Sequence, residues 1–64
     1  MANRLPALRR RQNLTQAALA AKSGVSRNTI AKYETGKIGI SAENLAKLCK
    51  VLKCRMEDVL REGS

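Results

Sequence analysis

A chain of 64 residues is expected to hold one small domain with a thin core, without a separate effector domain. Thirteen Lys and Arg stand against five Asp and Glu, with no His, for a formal charge of +8; this points to an acidic polymer or surface as partner and argues against histidine-based acid–base chemistry. No apolar run is long enough to span a bilayer and the basic start is not followed by an apolar stretch. Tyr33 is the single aromatic residue, so neither a signal peptide nor a membrane-surface helix is expected, and the cytoplasm is the expected location.

The first helix is predicted over residues 4–12, with Leu5 and Leu8 as core contacts and Pro6 in the first turn, where no intrahelical N–H is lost. Asn13 then supplies a left-handed stop, Leu14 anchors the chain, and Thr15 is placed to cap a second helix over residues 16–23. Leu19 and Ala20 form its inner face, and the small Ala20 permits a close crossing. Gly24 takes φ > 0 without a Cβ clash, Val25 drops into the core, and Ser26 is placed to cap a third helix over residues 27–35, closed by Gly36. Ile30 and Tyr33 lie three apart on the face of that helix that packs inward. Gln16, Leu19, Ala20, Gly24, Val25, Ile30 and Tyr33 thus occupy the spacing that two crossed helices and a tight turn require, a helix-turn-helix over residues 15–35.

Residues 37–40 cross to Ser41, a cap for a fourth helix reaching residue 52. Its apolar residues Leu45, Leu48, Cys49 and Leu52 recur at three-four spacing, and Glu43 is favourable in the first turn. A fifth short helix is predicted over residues 55–61 with Met56, Val59 and Leu60 on one face, expected to form a dimer interface. No alternating Val/Ile/Thr-rich run, repeat or linker interrupts the pattern. The expected fold is all-α, a five-helix bundle in a single domain over residues 1–64, with residues 41–61 completing the core and carrying the dimer contact.

On a wheel of roughly 100° per residue, the third helix places Arg27, Asn28, Ala31 and Lys32 opposite Ile30 and Tyr33. Arginine pairs bidentately with guanine O6 and N7, asparagine with adenine N6 and N7, alanine touches a thymine methyl, and lysine reaches guanine or phosphate. The free face therefore reads as a base-reading surface. The charge sits where that reading needs it: residues 1–37 hold eight Lys and Arg against Glu34 alone, whereas residues 38–64 hold five against four. Arg10 and Arg11 add basic charge at the end of the first helix, either as a solvated face or as phosphate contacts.

Cys49 and Cys54, without His or further Cys, do not complete a tetrahedral zinc site. Five residues apart near one helix, they suit a disulfide poorly and read as small buried apolar side chains. No metal or other cofactor is expected. Ser23 and Ser26 have no base to activate them and have structural explanations as turn and cap, and no Gly-rich phosphate loop is present, so catalysis is not expected.

Leu5-x-x-Leu8-Arg9, Leu14-Thr15-Gln16, Leu19-Ala20, Gly24-Val25-Ser26, Ile30 and Tyr33-Glu34-x-Gly36-Lys37 together resemble the Xre/Cro-type family of helix-turn-helix regulators over almost the whole chain. The resemblance implies a phage-repressor-like five-helix fold that binds double-stranded DNA as a two-fold homodimer with the third helix in the major groove. It implies Gln16 on phosphate and a base, with Arg27, Asn28 and Lys32 reading the groove. Asn13, Thr15, Ser26, Thr29 and Lys37 are expected at phosphates, and Arg9 and Glu34 as an ion pair bridging the first helix to the end of the third. Asn13 stands where glycine is common, a departure its left-handed conformation accommodates; Ile40 where proline is common and Arg55 where Ser or Thr caps the last helix bear on the last helix's boundaries. Repression is favoured over activation, because a small domain occludes a promoter without a further contact surface; no small-molecule effector is expected. The rival reading is an antitoxin or adaptor whose main partner is another protein; the short ending after the fifth helix favours the plain regulator.

Overall fold

Local hydrogen bonds at the helix ends set the architecture before any packing is considered. The computed structural model describes residues 3–60, and among them five helices follow in order: α1 Leu5–Arg11, α2 Gln16–Ser23, α3 Arg27–Glu34, α4 Ala42–Leu52 and α5 Met56–Leu60. Three helices end in the same way, with a residue in the left-handed region and a backbone bond reaching five residues back. Asn13 (φ 59), Gly36 (φ 78) and Lys53 (φ 55) take that conformation. Leu14 N–H then donates to Arg9 O, Lys37 N–H to Lys32 O and Cys54 N–H to Cys49 O, so each exposed set of terminal carbonyls is satisfied by the returning chain. Gly24 (φ 80) ends α2 with the simpler bond from its N–H to Ala20 O.

At the starts, Thr15 Oγ1 accepts from Ala18 N–H at 3.0 Å and Ser41 Oγ from Asn44 N–H at 3.1 Å, as residues of these types do at such positions. Ser26 stands at the cap position of α3, but its side chain makes no capping bond, a departure from the sequence expectation; its extended backbone sets the entry of the helix and its carbonyl accepts from Ile30 N–H. At α1 the cap is supplied by Asn3, whose Oδ1 accepts from Leu5 N–H and whose Nδ2 donates to Tyr33 O at 2.8 Å. At α5 Asp58 replaces the missing Ser or Thr by reaching back to accept from Arg55 N–H at 3.0 Å. Hence α5 begins at Met56 rather than at residue 55, α1 is one residue shorter at each end than predicted, and α3 stops at Glu34 with Thr35 as its cap. The predicted continuation of α5 to Arg61 lies outside the described residues.

The core gathers Leu5 and Leu8 from α1, Leu19 from α2, Val25 from the turn, and Ile30 and Tyr33 from α3. Leu45, Leu48, Cys49 and Leu52 of α4 and Val59 of α5 complete it. Leu14, Ala20, Ile40, Val51, Cys54 and Met56 pack against it half-buried. α2 lies against both α3 and α4, and α5 closes on α4; Arg4 N–H donates to Val59 O and joins the start of α1 to α5. Val59 is fully buried. It therefore serves the domain's own core and is not open to a second chain, contrary to the expectation that Met56, Val59 and Leu60 form one exposed face; of the three only Leu60, 57% exposed, lies open. Full burial of a valine is worth roughly 1.5–3 kcal/mol, and in a domain this small that contribution outweighs exposing it for a partner.

Candidate nucleic-acid interface

The third helix is held from behind and open in front. Ile30 and Tyr33 are buried, while Arg27, Asn28 and Lys32 are exposed and Thr29 and Ala31 half-buried between the two faces. A 3.6-residue period brings these positions together, and the small Ala31 beside long cationic neighbours leaves room for a groove wall to approach. Around this helix, Thr15, Asn13, Ser26 and Lys37 are exposed. Asn13, Gly36 and Gly24 fix the backbone on which the surrounding polar residues sit, so these positions are set by left-handed helix ends rather than by loose loops. Lys37 in particular follows Gly36, with its own N–H bonded to Lys32 O at 2.9 Å.

The one acid of the basic half is taken out of the surface. Arg9 Nε donates to Glu34 Oε2 at 2.8 Å and Arg9 Nη2 to Glu34 Oε1 at 3.1 Å, a bidentate pair whose side chains are 10% and 6% exposed. Arg9 Nη1 donates in addition to Leu14 O at 2.9 Å. The hydrogen bonds to Glu34 raise the Arg9 guanidinium above its ordinary value against the opposing pull of burial, and the carboxylate's charge adds to the rise. Glu34 is thus paired within the fold, while Arg27 and Lys32 stand exposed on α3.

Gln16 sits in this cluster. Its Nε2 donates to Glu34 Oε1 at 3.0 Å, and it is half-buried at the first position of α2. The sequence-based assignment of Gln16 to phosphate and base is therefore joined by a structural role, positioning the start of α2 against the end of α3. Arg10 and Arg11 are exposed at the end of α1, and Arg11 lies within electrostatic reach of Cys54, close to where α4 ends.

Two contributors escaped the sequence reading. Asn3, 5% exposed, ties the start of α1 to the carbonyl of Tyr33 and so braces α3 from the core side; an Asn two residues before the first helical residue is the available signal. Thr35 Oγ1 donates to the carbonyls of Ala31 and Lys32, satisfying the open end of α3. Elsewhere, an open cleft of about 390 Å³ is lined by Lys22, Ser23, Lys47, Lys50 and Val51; it lies at the C-terminal end of α2, the end opposite Thr15 and Gln16.

Among the described residues no group of three or more His, Cys, Asp and Glu could hold a metal ion, and no helix is long and apolar enough to cross a membrane.

A helix-turn-helix family model matches residues 7–59. An uncharacterized helix-turn-helix-type transcriptional regulator of Methanocaldococcus jannaschii is 42% identical over 59 residues, covering 92% of this chain and 89% of the relative. Uncharacterized regulators of the same type from Archaeoglobus fulgidus are 36% and 37% identical over equal lengths, covering 83% and 84% of those relatives. The matched span contains α2, the Gly24 turn and α3 in full, together with the Arg9–Glu34 pair. With its two-sided, openly basic α3, buried anchors and Xre/Cro-like pattern, the chain belongs to the helix-turn-helix family of DNA-binding transcriptional regulators, a family that is not enzymatic.

Proposed function

We propose that this chain is a repressor that binds an inverted-repeat operator as a homodimer, with α3 in the major groove. The observation that carries the reading is the two-sidedness of α3: Ile30 and Tyr33 fix it, and Arg27, Asn28 and Lys32 stand free at one exposed face. Arg27 and Asn28 open the helix, the end that reaches base edges in this geometry, and Ala31 permits close approach while Lys32 contacts a base or the backbone. Gln16, constrained by Glu34, lies at the edge of the groove. Asn13, Thr15, Ser26, Thr29 and Lys37 contact phosphates and set the docking register, with Arg10 and Arg11 contributing at the periphery.

Two copies related by a two-fold axis present two reading helices roughly 34 Å apart, one turn of duplex, and so select a palindromic site. With Val59 enclosed, the contact between copies falls on the open side of α5 at Leu60, flanked by the half-buried Met56. The protein acts in the cytoplasm without cofactor or small-molecule effector, its occupancy set by its own concentration, and it represses by occluding the promoter.

Selection of bound sequences from a random duplex pool, followed by titration of the recovered site, tests the reading. An enriched inverted repeat bound by two chains supports it. An unenriched pool, or one chain per footprint on an asymmetric site, overturns it.

A further inference from the structure

Cys49 and Cys54 are joined through the backbone by a turn that a continuous helix would not make. Continued as a helix, positions 49 and 54 would point in different directions; instead Lys53 takes φ 55, the chain turns back, and Cys54 N–H donates to Cys49 O at 3.1 Å. In such a left-handed helix end, the residue after the turn packs on the residue five before it. Here those residues are Cys54 and Cys49, and Cys54 packs against the core cluster to which Cys49 belongs. Both are free, Cys49 buried and Cys54 half-buried, so Cys54 is the more accessible of the two.

We propose that Cys49 and Cys54 are the site of a reversible intramolecular disulfide, formed with a low-molecular-weight disulfide as oxidant. The Cys54 thiolate attacks one sulfur of the oxidant, whose S–S bond breaks and releases one thiolate. The Cys49 thiolate then attacks Cys54 Sγ in the mixed disulfide, forming the Cys49–Cys54 bond and displacing the second thiolate. The two protons lost from the protein thiols go to the two released thiolates, and the two electrons the cysteines lose reduce the oxidant.

The surroundings make the site slow in its resting state and ordered in its sequence. Burial pushes the Cys49 thiol up to about 12, with the charge of Cys54, the hydrogen bond to Cys54 and the charge of Asp58 adding to the rise. Burial also raises Cys54, but its hydrogen bond from Cys49 and the nearby Arg11 oppose the rise while Asp58 adds to it. Cys54 is thus the first nucleophile. Once Cys54 is linked to the oxidant it no longer presents a titrating thiol beside Cys49, while burial and Asp58 still oppose ionisation of Cys49.

The folded full chain is incubated with oxidised glutathione at mildly alkaline pH and measured by mass spectrometry and thiol titration. The expected product is a monomer lighter by about 2 Da, with both thiols lost and both restored by dithiothreitol. Its thermal midpoint is expected to rise by on the order of 5 °C, because the new ring restricts the unfolded chain without distorting a turn that already brings the residues together. Cys54→Ser and, separately, Cys54→Ala must abolish the 2 Da loss (about two hydrogens) while keeping native circular dichroism. An unchanged mass, a stable glutathione adduct, disulfide-linked dimers or a lowered midpoint would each overturn the proposal.

Discussion

Arg9 and Glu34 are joined across 25 residues of sequence by two parallel hydrogen bonds of 2.8 and 3.1 Å, at the point where α1 meets the end of α3. Arg9 adds a bond to Leu14 O, and Gln16 adds one to Glu34. One carboxylate therefore orients α1, the start of α2 and the end of α3 together.

Removing half of this pair leaves a buried charge without its counter-ion. Glu34→Ala is expected to cost about 3 kcal/mol, while the double replacement Arg9→Met with Glu34→Leu costs less than either single change, since no unpaired charge then remains. Urea midpoints of Glu34→Ala, the two single replacements and the double replacement check this; an unchanged midpoint in Glu34→Ala would sink it.

Base readers and phosphate anchors should fail differently. Arg27→Ala or Asn28→Ala is expected to cost roughly 1–3 kcal/mol on the operator and to relax preference at one base pair, with a smaller loss on scrambled duplex. Lys37→Ala should weaken all duplexes about equally and reduce the salt slope by about one unit. Titrations against both duplexes at several salt concentrations separate the two patterns, and an equal loss on both for Arg27→Ala would show that α3 is not the reading element.

Val59 and Leu60 are neighbours with opposite surroundings, one enclosed and the other 57% exposed. Val59→Asp is expected to unfold the domain, by placing an unpaired carboxylate among Leu5, Leu48 and their neighbours in the core. Leu60→Asp should leave the thermal midpoint nearly unchanged and weaken operator binding by disrupting the contact between copies. Circular dichroism melts and sedimentation with operator duplex distinguish these outcomes.

Lys53 holds φ 55, where an L side chain crowds its own backbone. The left-handed region costs a non-glycine residue roughly 1–2 kcal/mol, and glycine returns about 0.5–1 kcal/mol of that in unfolded-chain entropy. Lys53→Gly should therefore stabilise the fold by on the order of 0.5–1 kcal/mol. A fall in the denaturation midpoint would show that the lysine makes a compensating contact.

The Tyr33 hydroxyl is buried without a hydrogen-bond partner, and burial raises its pKa, with the Cys49 thiol contributing. Deleting it removes an unsatisfied group while keeping the ring that anchors α3. Tyr33→Phe is expected to be neutral or stabilising by up to about 1 kcal/mol, with operator affinity unchanged. A loss of more than about 1 kcal/mol in chemical denaturation would indicate that the hydroxyl has a partner in solution.

Much of the molecule follows from interactions between residues only a few positions apart. Thr15 and Ser41 as caps, Asn13, Gly24 and Gly36 as left-handed ends, and the three-four spacing of Leu45, Leu48, Cys49 and Leu52 are local patterns, and α2 and α4 begin and end where those patterns put them. The two faces of α3 and the bias of charge toward residues 1–37 were equally legible, because helical period and charge are properties of the string itself. What the string does not carry is which surface each element meets. Val59 is enclosed because α5 folds back on α4, and Arg4 N–H reaches its carbonyl across the chain. Asn3 braces Tyr33 over a separation of 30 residues, and Gln16 is drawn to Glu34 over 18. The meeting of Cys49 with Cys54 depends on a left-handed lysine, which helical periodicity places nowhere near a turn. Each of these outcomes is set by packing between elements distant in sequence or by a backbone conformation that the residue type disfavours. Only the folded chain, in which burial and hydrogen bonding offset such costs, decides them.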